Sequence, residues 1–167
     1  MKARTALKES GLSAQRLELE ITESLLITNP QSVLAQLHQL RSLGIRIALD
    51  DFGTGYSSLS YLWQFPFDKL KIDRAFMNGI ENRGSKSREI LKTVVSLGQV
   101  LDLAVTAEGV ETETQLAALK ELKCDLSQGF LLGRPMPAED LAAFVAKAMK
   151  PKGKSRPSAQ VARKAAC

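Results

Sequence analysis

Histidine, cysteine and aromatic residues are all scarce in this chain of 167 residues. The one histidine, His38, falls on the polar face of a predicted helix, so histidine-based acid–base chemistry and histidine-rich zinc sites are effectively excluded. Two cysteines, Cys124 and Cys167, do not make a disulfide framework. Two tyrosines and one tryptophan are too few for a base-stacking surface.

Long apolar runs are also missing. No stretch reaches the roughly 18 apolar residues of a membrane span, and the N-terminus lacks the apolar segment of a signal peptide. We therefore expect a cytoplasmic protein with no membrane span. The hydrophobic content of 44% and the charged content of 25% are those of an ordinary globular domain. A chain of this length can bury a sizeable core.

The net charge of +5 comes from the C-terminal end of the chain. Residues 150–167 hold six lysines and arginines and no acidic residue, so the remaining residues sum to about −1. Proline and glycine in this segment predict disorder, and we divide the chain into a domain, 1–149, and a basic tail, 150–167. Contact between the tail and nucleic acid or acidic lipid stays an alternative, but the composition favours a solvated extension without a specific nucleic-acid partner.

Strand-like and helix-like segments alternate along the domain. Apolar runs predict strands at residues 16–22, 46–51, 69–73, 103–108 and 125–131. Capping signals and helical spacing predict helices within 1–12 and at 30–43, 57–64, 87–101, 113–122 and 138–149. This alternation predicts an α/β fold, in which helices cover a parallel sheet of about five βα units.

Carboxylates follow the predicted strands where those strands end. In a parallel α/β protein these ends meet at one rim, where ligands bind. Carboxylates crowded at one rim need a cation between them, so the pattern predicts a divalent-metal site. The acidic residues are Glu20, Glu23, Asp50, Asp51, Asp73, Glu108 and Glu111.

Two of these carboxylates are adjacent, at Asp50 and Asp51. Neighbouring strand residues point to opposite faces, so both reach one ion only where the strand ends and bends. Gly53 and Gly55 permit the backbone of a mobile loop. The alternative is a plain helix-capping turn. For Glu20, the alternative is an edge strand with one solvated face.

Lys71 and Gln128 complete the set of candidate site residues. Lys71 lies between Leu70 and Ile72, so it faces the interior if those two pack on the helices. A lysine among metal-bound carboxylates can hold or deprotonate a water. The alternative is a surface lysine on a half-buried strand. Gln128 falls within the fifth predicted strand.

Together these segments closely resemble the EAL domain, a family of bacterial cyclic di-GMP phosphodiesterases, over residues 7–146. The matching segments are Glu20-Ile21-Thr22-Glu23, the stretch Asp-Asp-Phe-Gly-Thr-Gly-Tyr-Ser-Ser at 50–58, Lys71-Ile72-Asp73, Ala107-Glu108-Gly109-Val110-Glu111 and Gln128-Gly129-Phe130. The resemblance implies a TIM-type (β/α)8 barrel that binds cyclic di-GMP and hydrolyses it to pGpG with two Mg²⁺ or Mn²⁺ ions.

The resemblance also implies roles for the site residues. Metal ligands would be Glu20, Asp50, Asp51 and Glu108. Lys71 would assist the attacking water, Glu23 would anchor the loop at 52–58, and Gln128 would order water or substrate. Asp73 and Glu111 fall in family positions with supporting or substrate-binding roles.

The chain departs from the family pattern in one large respect. The Glu-Ala-Leu segment, the arginine after it and an asparagine-bearing strand are absent. A TIM barrel needs about 250 residues, so we expect a partial barrel with impaired activity. The alternative is a non-catalytic module that binds cyclic di-GMP or another protein. A homodimer through the 52–58 loop or through open sheet edges is a further expectation.

Overall fold

The computed structural model describes residues 2–53 and 59–148. The helices are α1 (Lys2–Ser10), α2 (Glu23–Thr28), α3 (Pro30–Ser42), α4 (Leu59–Gln64), α5 (Lys86–Val100), α6 (Glu113–Glu121) and α7 (Ala138–Ala148). The strands are β1 (Glu18–Thr22), β2 (Arg46–Phe52), β3 (Lys69–Ile72), β4 (Ala104–Ala107) and β5 (Leu126–Ser127). Short 3₁₀ helices cover Ala14–Arg16 and Arg74–Met77.

The five strands of the described residues form one open parallel sheet in the order β1-β2-β3-β4-β5. Each strand pairs with the next in the chain, and helices connect them. The predicted α/β fold with five βα units is therefore confirmed. Because all strands run the same way, their carboxyl ends lie along one rim of the sheet.

One face of the sheet carries the hydrophobic core. Ile47, Leu49, Leu70, Ile72 and Val105 alternate onto this face and are almost fully buried against the helices. The intervening residues point to the opposite face, which we call the inner face. The inner face carries charged side chains, described below.

Local capping signals fix the starts of α3 and α6. The Asn29 side chain accepts a hydrogen bond from the Ser32 backbone at 3.2 Å, and Pro30 occupies the first turn of α3. Thr112 and Gln115 form a capping box at the start of α6. The Gln115 side chain also accepts from the Glu111 backbone at 2.8 Å, so the cap fixes the chain just beyond β4.

The fifth strand differs from its prediction. The predicted run 125–131 shortens to Leu126–Ser127, and the chain turns at once, with Leu132 N donating to Gly129 O. The backbone of Gly129 lies directly against that of Val110, where a side chain would not fit. Gln128 therefore follows β5 instead of lying within it. Helix α2 was not predicted from the sequence, because its six residues are too few to show helical spacing of apolar side chains.

The chain divides into two compact units, Met1–Arg134 and Pro135–Cys167. In the second unit the structure describes α7, whose bounds, Ala138–Ala148, agree closely with those of the predicted helix at 138–149. The predicted boundary at 149/150, the basic tail and most of the 52–58 loop lie outside the described residues. Within the described ranges, no helix has both the length and the apolar character needed to cross a membrane.

Candidate active site

A single lysine on the inner face forms ion pairs with carboxylates from three other strand ends. Lys71 Nζ lies 2.8 Å from Glu20 Oε1, 3.0 Å from Asp50 Oδ1 and 2.7 Å from Glu108 Oε1. These residues come from β1, β2 and β3 and from the residue after β4. The predicted convergence of strand-end carboxylates is thus present in the structure, and the interior position predicted for Lys71 is confirmed.

Lys71 is buried, and its charge is held by its neighbours. Burial by itself lowers the pKa of the Lys71 ammonium. Hydrogen bonds to Glu108, Glu20 and Asp50 raise the pKa by more, so it lies well above its ordinary value. Lys71 therefore stays protonated at neutral pH, which favours holding a water or an anion over deprotonating a water.

The adjacent carboxylates Asp50 and Asp51 turn toward the same site at an irregularity of β2. The pairing register with β3 shifts between Leu49 and Phe52, and Asp51 has a left-handed backbone with φ of 56°. Asp51 N donates to Asp50 Oδ1 at 3.1 Å. Asp51 then lines the same cavity as Glu108. The strand therefore bends where the sequence argument requires a bend.

A cavity of about 430 Å³ opens beside this cluster at the carboxyl ends of the strands. Gln128 lines this cavity together with the acidic residues. Its backbone N donates to Ala107 O at 2.8 Å, and this hydrogen bond fixes the turn after β5 against β4. The lining residues are Asp51, Asp73, Arg74, Glu108, Gly109, Glu111, Gln128, Gly129 and Phe130.

Asp73 and Glu111 both reach this cavity, but each also has a local structural role. Asp73 Oδ1 accepts from Ala75 N at 2.8 Å and caps the 3₁₀ helix Arg74–Met77. Glu111 is exposed, and its backbone is held by Gln115. Both residues therefore shape the wall of the cavity, while neither contacts Lys71 within the ion-pair distance in the described structure.

Glu23 is buried at the start of α2 and is not among the carboxylates that contact Lys71 in the described residues. Neither of its carboxylate oxygens has a hydrogen-bond partner among the described residues. An unpaired buried carboxylate is costly, so this position calls for a partner. The loop that Glu23 is predicted to anchor lies mainly at 54–58, outside the described residues.

The residue types of this cluster suit a divalent cation, although the described residues do not form a preorganised metal site. Glu20, Asp50, Asp51 and Glu108 offer the carboxylate oxygens that Mg²⁺ and Mn²⁺ prefer. With all four ionised, they outnumber the charge of Lys71 by three. Across the ranges 2–53 and 59–148, however, no three His, Cys, Asp or Glu side chains converge on a common metal position. Oxygens of Glu20, Asp50 and Glu108 surround Lys71 Nζ instead.

Two features were missed by the sequence argument. Arg74 lines the cavity as its one cationic side chain among the described residues, and its position immediately after Asp73 at a strand end is a signal that could have found it. A second ion pair on the inner face joins Lys69 Nζ to Glu18 Oε1 at 2.7 Å. Lys69 lies two residues before Lys71, and Glu18 lies two residues before Glu20. Because side chains two residues apart on a strand share a face, the sequence could have predicted this second pair on the inner face.

Comparisons with known proteins agree with this arrangement. A sequence model of the EAL domain family matches residues 1–135. The bifunctional diguanylate cyclase/cyclic di-GMP phosphodiesterase MucR of Pseudomonas aeruginosa is 49% identical over 143 residues, which are 86% of this chain and 21% of MucR. The chain spans between about a fifth and about a third of the length of the curated relatives it matches.

Solved structures give the same result. The MucR phosphodiesterase in complex with cyclic di-GMP has a TM-score of 0.77 and 48% identity, over 83% of this chain and 56% of that one. Klebsiella pneumoniae BlrP1 in a manganese and cyclic di-GMP complex has a TM-score of 0.75 and 36% identity, over 80% of this chain and 34% of that one.

Proposed function

Because the chain belongs to the EAL domain family, we propose that it is a cyclic di-GMP phosphodiesterase domain, which hydrolyses cyclic di-GMP to pGpG with two Mg²⁺ or Mn²⁺ ions. The observation that carries this proposal is the meeting of Glu20, Asp50 and Glu108 at Lys71, beside the strand-end cavity. Relatives that bind cyclic di-GMP support the substrate.

The metal ions would be held by Glu20, Asp50, Asp51 and Glu108. When bound, two such ions supply a hydroxide from water and neutralise the charge that builds on the phosphate during in-line displacement. At the bend of β2, Asp50 contacts Lys71 and Asp51 lines the strand-end cavity. The manganese and calcium complexes of BlrP1 support the use of divalent ions.

Lys71 would act as a donor toward the attacking water or a phosphate oxygen. Its charge persists at neutral pH because its carboxylate neighbours raise its pKa, so it stabilises negative charge as the ester bond to the leaving oxygen breaks. Arg74, which lines the cavity, offers a planar guanidinium suited to a second phosphate oxygen. Gln128 can hold a water or the substrate through its amide.

Glu23 would position the loop beside the metal ligands instead of contacting substrate. Its buried and unpartnered carboxylate supports this role, because loop backbone N–H groups could satisfy both oxygens. Asp73 and Glu111 would fix the cavity wall through their contacts with the 3₁₀ helix and the cap of α6.

We further propose that the chain by itself turns over slowly. A complete TIM barrel encloses its interior with about eight strands, whereas the five described strands form a sheet that is not closed into a barrel. An open site admits water, which weakens the electrostatic interactions on which catalysis depends.

The test is hydrolysis of cyclic di-GMP by the purified chain with Mn²⁺, with the products separated by chromatography. Asp50→Asn should lower kcat/KM by about 100-fold or more, since even indirect contacts to a metal are worth about 10–100-fold. Asp102→Asn is the matched control, because Asp102 is exposed and precedes β4, at the end of that strand opposite Glu108, and asparagine tolerates its φ of 57°. Equal turnover by the two variants would contradict the proposal.

The open sheet also favours a second candidate function, a module that binds cyclic di-GMP without cleaving it. Equilibrium binding of labelled cyclic di-GMP in Ca²⁺ separates the two functions. Binding that is weakened by Asp50→Asn, together with no product in Mn²⁺, would establish the binding module and exclude the enzyme.

A further inference from the structure

We infer that Lys71 holds the predicted metal ligands in place of a metal ion, and that the first divalent ion to bind must compete with it. The inference rests on the proposed function, because it concerns the same carboxylates. It adds a property of this chain's own lysine: Lys71 is a counter-ion before the metal binds and becomes an available donor only afterwards.

The hydrogen-bonding capacity of the lysine carries the first step. A lysine ammonium has three N–H donors and no acceptor. Nζ of Lys71 makes three short contacts, at 2.8, 3.0 and 2.7 Å, to three different carboxylates. All three donors are therefore in use, and none is left for a water or a phosphate oxygen.

The positions of the carboxylates carry the second step. Glu20, Asp50 and Glu108 are the residues that a metal ion would take, yet they do not form a common metal position within the described residues. They are arranged around a nitrogen instead. A cation that draws these oxygens together must loosen at least one contact to Lys71, and that loosening frees an N–H donor for catalysis.

The neighbouring ion pair shows that this arrangement is specific to Lys71. Lys69 lies on the same face of the same strand, but it pairs with Glu18 alone at 2.7 Å. Glu18 is not among the predicted metal ligands. Lys69 is therefore a matched control: removing it deletes an inner-face lysine without touching the carboxylates of the site.

The experiment measures Mn²⁺ affinity without substrate, from the electron paramagnetic resonance signal of unbound Mn²⁺. Lys71→Met should bind Mn²⁺ about tenfold more tightly than the wild type or better, because three carboxylates lose their internal cation. Lys71→Gln, which keeps an amide donor but no charge, should change in the same direction. Lys71→Arg and Lys69→Met should stay within about twofold of the wild type.

Thermal unfolding supplies a second readout on the same proteins. Lys71→Met should have a lower Tm than the wild type without metal, since its carboxylates repel one another, and a larger rise in Tm on adding Mn²⁺. If Lys71→Met does not fold, Lys71→Gln provides the comparison.

Two results would overturn the inference. Mn²⁺ binding by Lys71→Met and Lys71→Gln that is equal to or weaker than that of the wild type would show that the lysine organises the ligands without competing. Absence of Mn²⁺ binding in every protein would overturn both the inference and the metal chemistry of the proposed function. Slow turnover by a wild type that binds Mn²⁺ concerns the proposed function alone.

Discussion

At the scale of single residues, the site depends on backbone conformations that few side chains tolerate. Asp51 adopts a left-handed φ of 56°, which costs a non-glycine residue about 1–2 kcal/mol. The requirement for a bend at Asp50–Asp51 followed from strand geometry alone. Its form, a register shift with a left-handed aspartate, depends on how β2 pairs with β3, which no local pattern specifies.

Gly109 provides a prediction at this scale. It has φ of 72°, and a Cβ there would overlap the Arg74 side chain and lie 3.1 Å from Arg74 Cα. Gly109→Ala should therefore combine backbone strain of about 1–2 kcal/mol with a packing clash of about 1–3 kcal/mol. Urea unfolding measures the loss.

Gly84→Ala is the control for this change. Gly84 has a similar φ of 84° but nothing within 4 Å of an added Cβ, so it reports strain alone. Equal losses of stability in the two variants would show that the contact with Arg74 carries no weight. Gly109→Ala should also displace Arg74 and reduce turnover, which Gly84→Ala should leave unchanged.

At the scale of elements, two aspartates fasten the beginnings of strands in the same way. Asp68, just before β3, accepts from Ile47 N at 2.9 Å, and Asp125, just before β5, accepts from Val105 N at 2.8 Å. Ile47 and Val105 are the second residues of β2 and β4. Each carboxylate therefore joins a strand to its neighbour at the end of the sheet opposite the site.

Replacing Asp125 tests this fastening. Asp125→Ala should lower the free energy of unfolding by about 1–3 kcal/mol, because the Val105 amide loses a charged acceptor. Asp125→Asn keeps a carbonyl oxygen and should lose less. Amide hydrogen exchange at Val105 should rise most in the alanine variant. Identical exchange rates of the Val105 amide in Asp125→Ala and Asp125→Asn would show that the side-chain carbonyl oxygen at position 125 does not protect this amide.

Helix α5 packs on β4 at a glycine, and this contact opposes helix propensity. Alanine at position 98 should favour the helix by about 1 kcal/mol. However, its Cβ would overlap Val105 and lie 3.2 Å from Leu103 O, which costs about 1–3 kcal/mol. We expect Gly98→Ala to destabilise the protein in urea unfolding.

A double-mutant cycle identifies the source of that loss. Val105 is fully buried, so Val105→Ala is destabilising alone but removes the group that the new Cβ meets. The double variant should lose less than the sum of the two single losses. Strict additivity would place the effect of Gly98→Ala elsewhere.

Element types were predicted more fully than element ends. Strands β1 to β4 and most helices follow from apolar runs and caps, since these signals lie within single segments. The short β5 and helix α2 do not, because their limits depend on contacts with distant backbone, such as Gly129 against Val110. The meeting of Glu20, Asp50, Lys71 and Glu108 was predictable from strand ends, while their catalytic roles remain predictions.

At the scale of the whole molecule, the described strands leave an open sheet with unpaired edges at β1 and β5. Such edges favour pairing with another chain. The two-residue β5 offers little backbone to a partner, so β1 is the better edge. The proposed homodimer through sheet edges therefore depends on what β1 presents.

Two copies that pair through β1 under two-fold symmetry must run antiparallel, with their inner faces on the same side. The side chains of Glu18 and Glu20 from both copies then share one face, and like charges opposite one another destabilise a strand pair. We expect the double variant Glu18→Gln, Glu20→Gln to associate more strongly than the wild type in sedimentation velocity at low salt. The control is the double variant Glu9→Gln, Glu81→Gln, which makes the same change in net charge at two exposed positions outside the sheet. This control should associate no more strongly than the wild type. The Debye length is about 10 Å at 0.1 M salt and about 3 Å at 1 M, so the repulsion weakens and the difference between the two double variants should shrink as salt is added. Equal association of both variants at low salt would place any dimer contact outside the β1 edge.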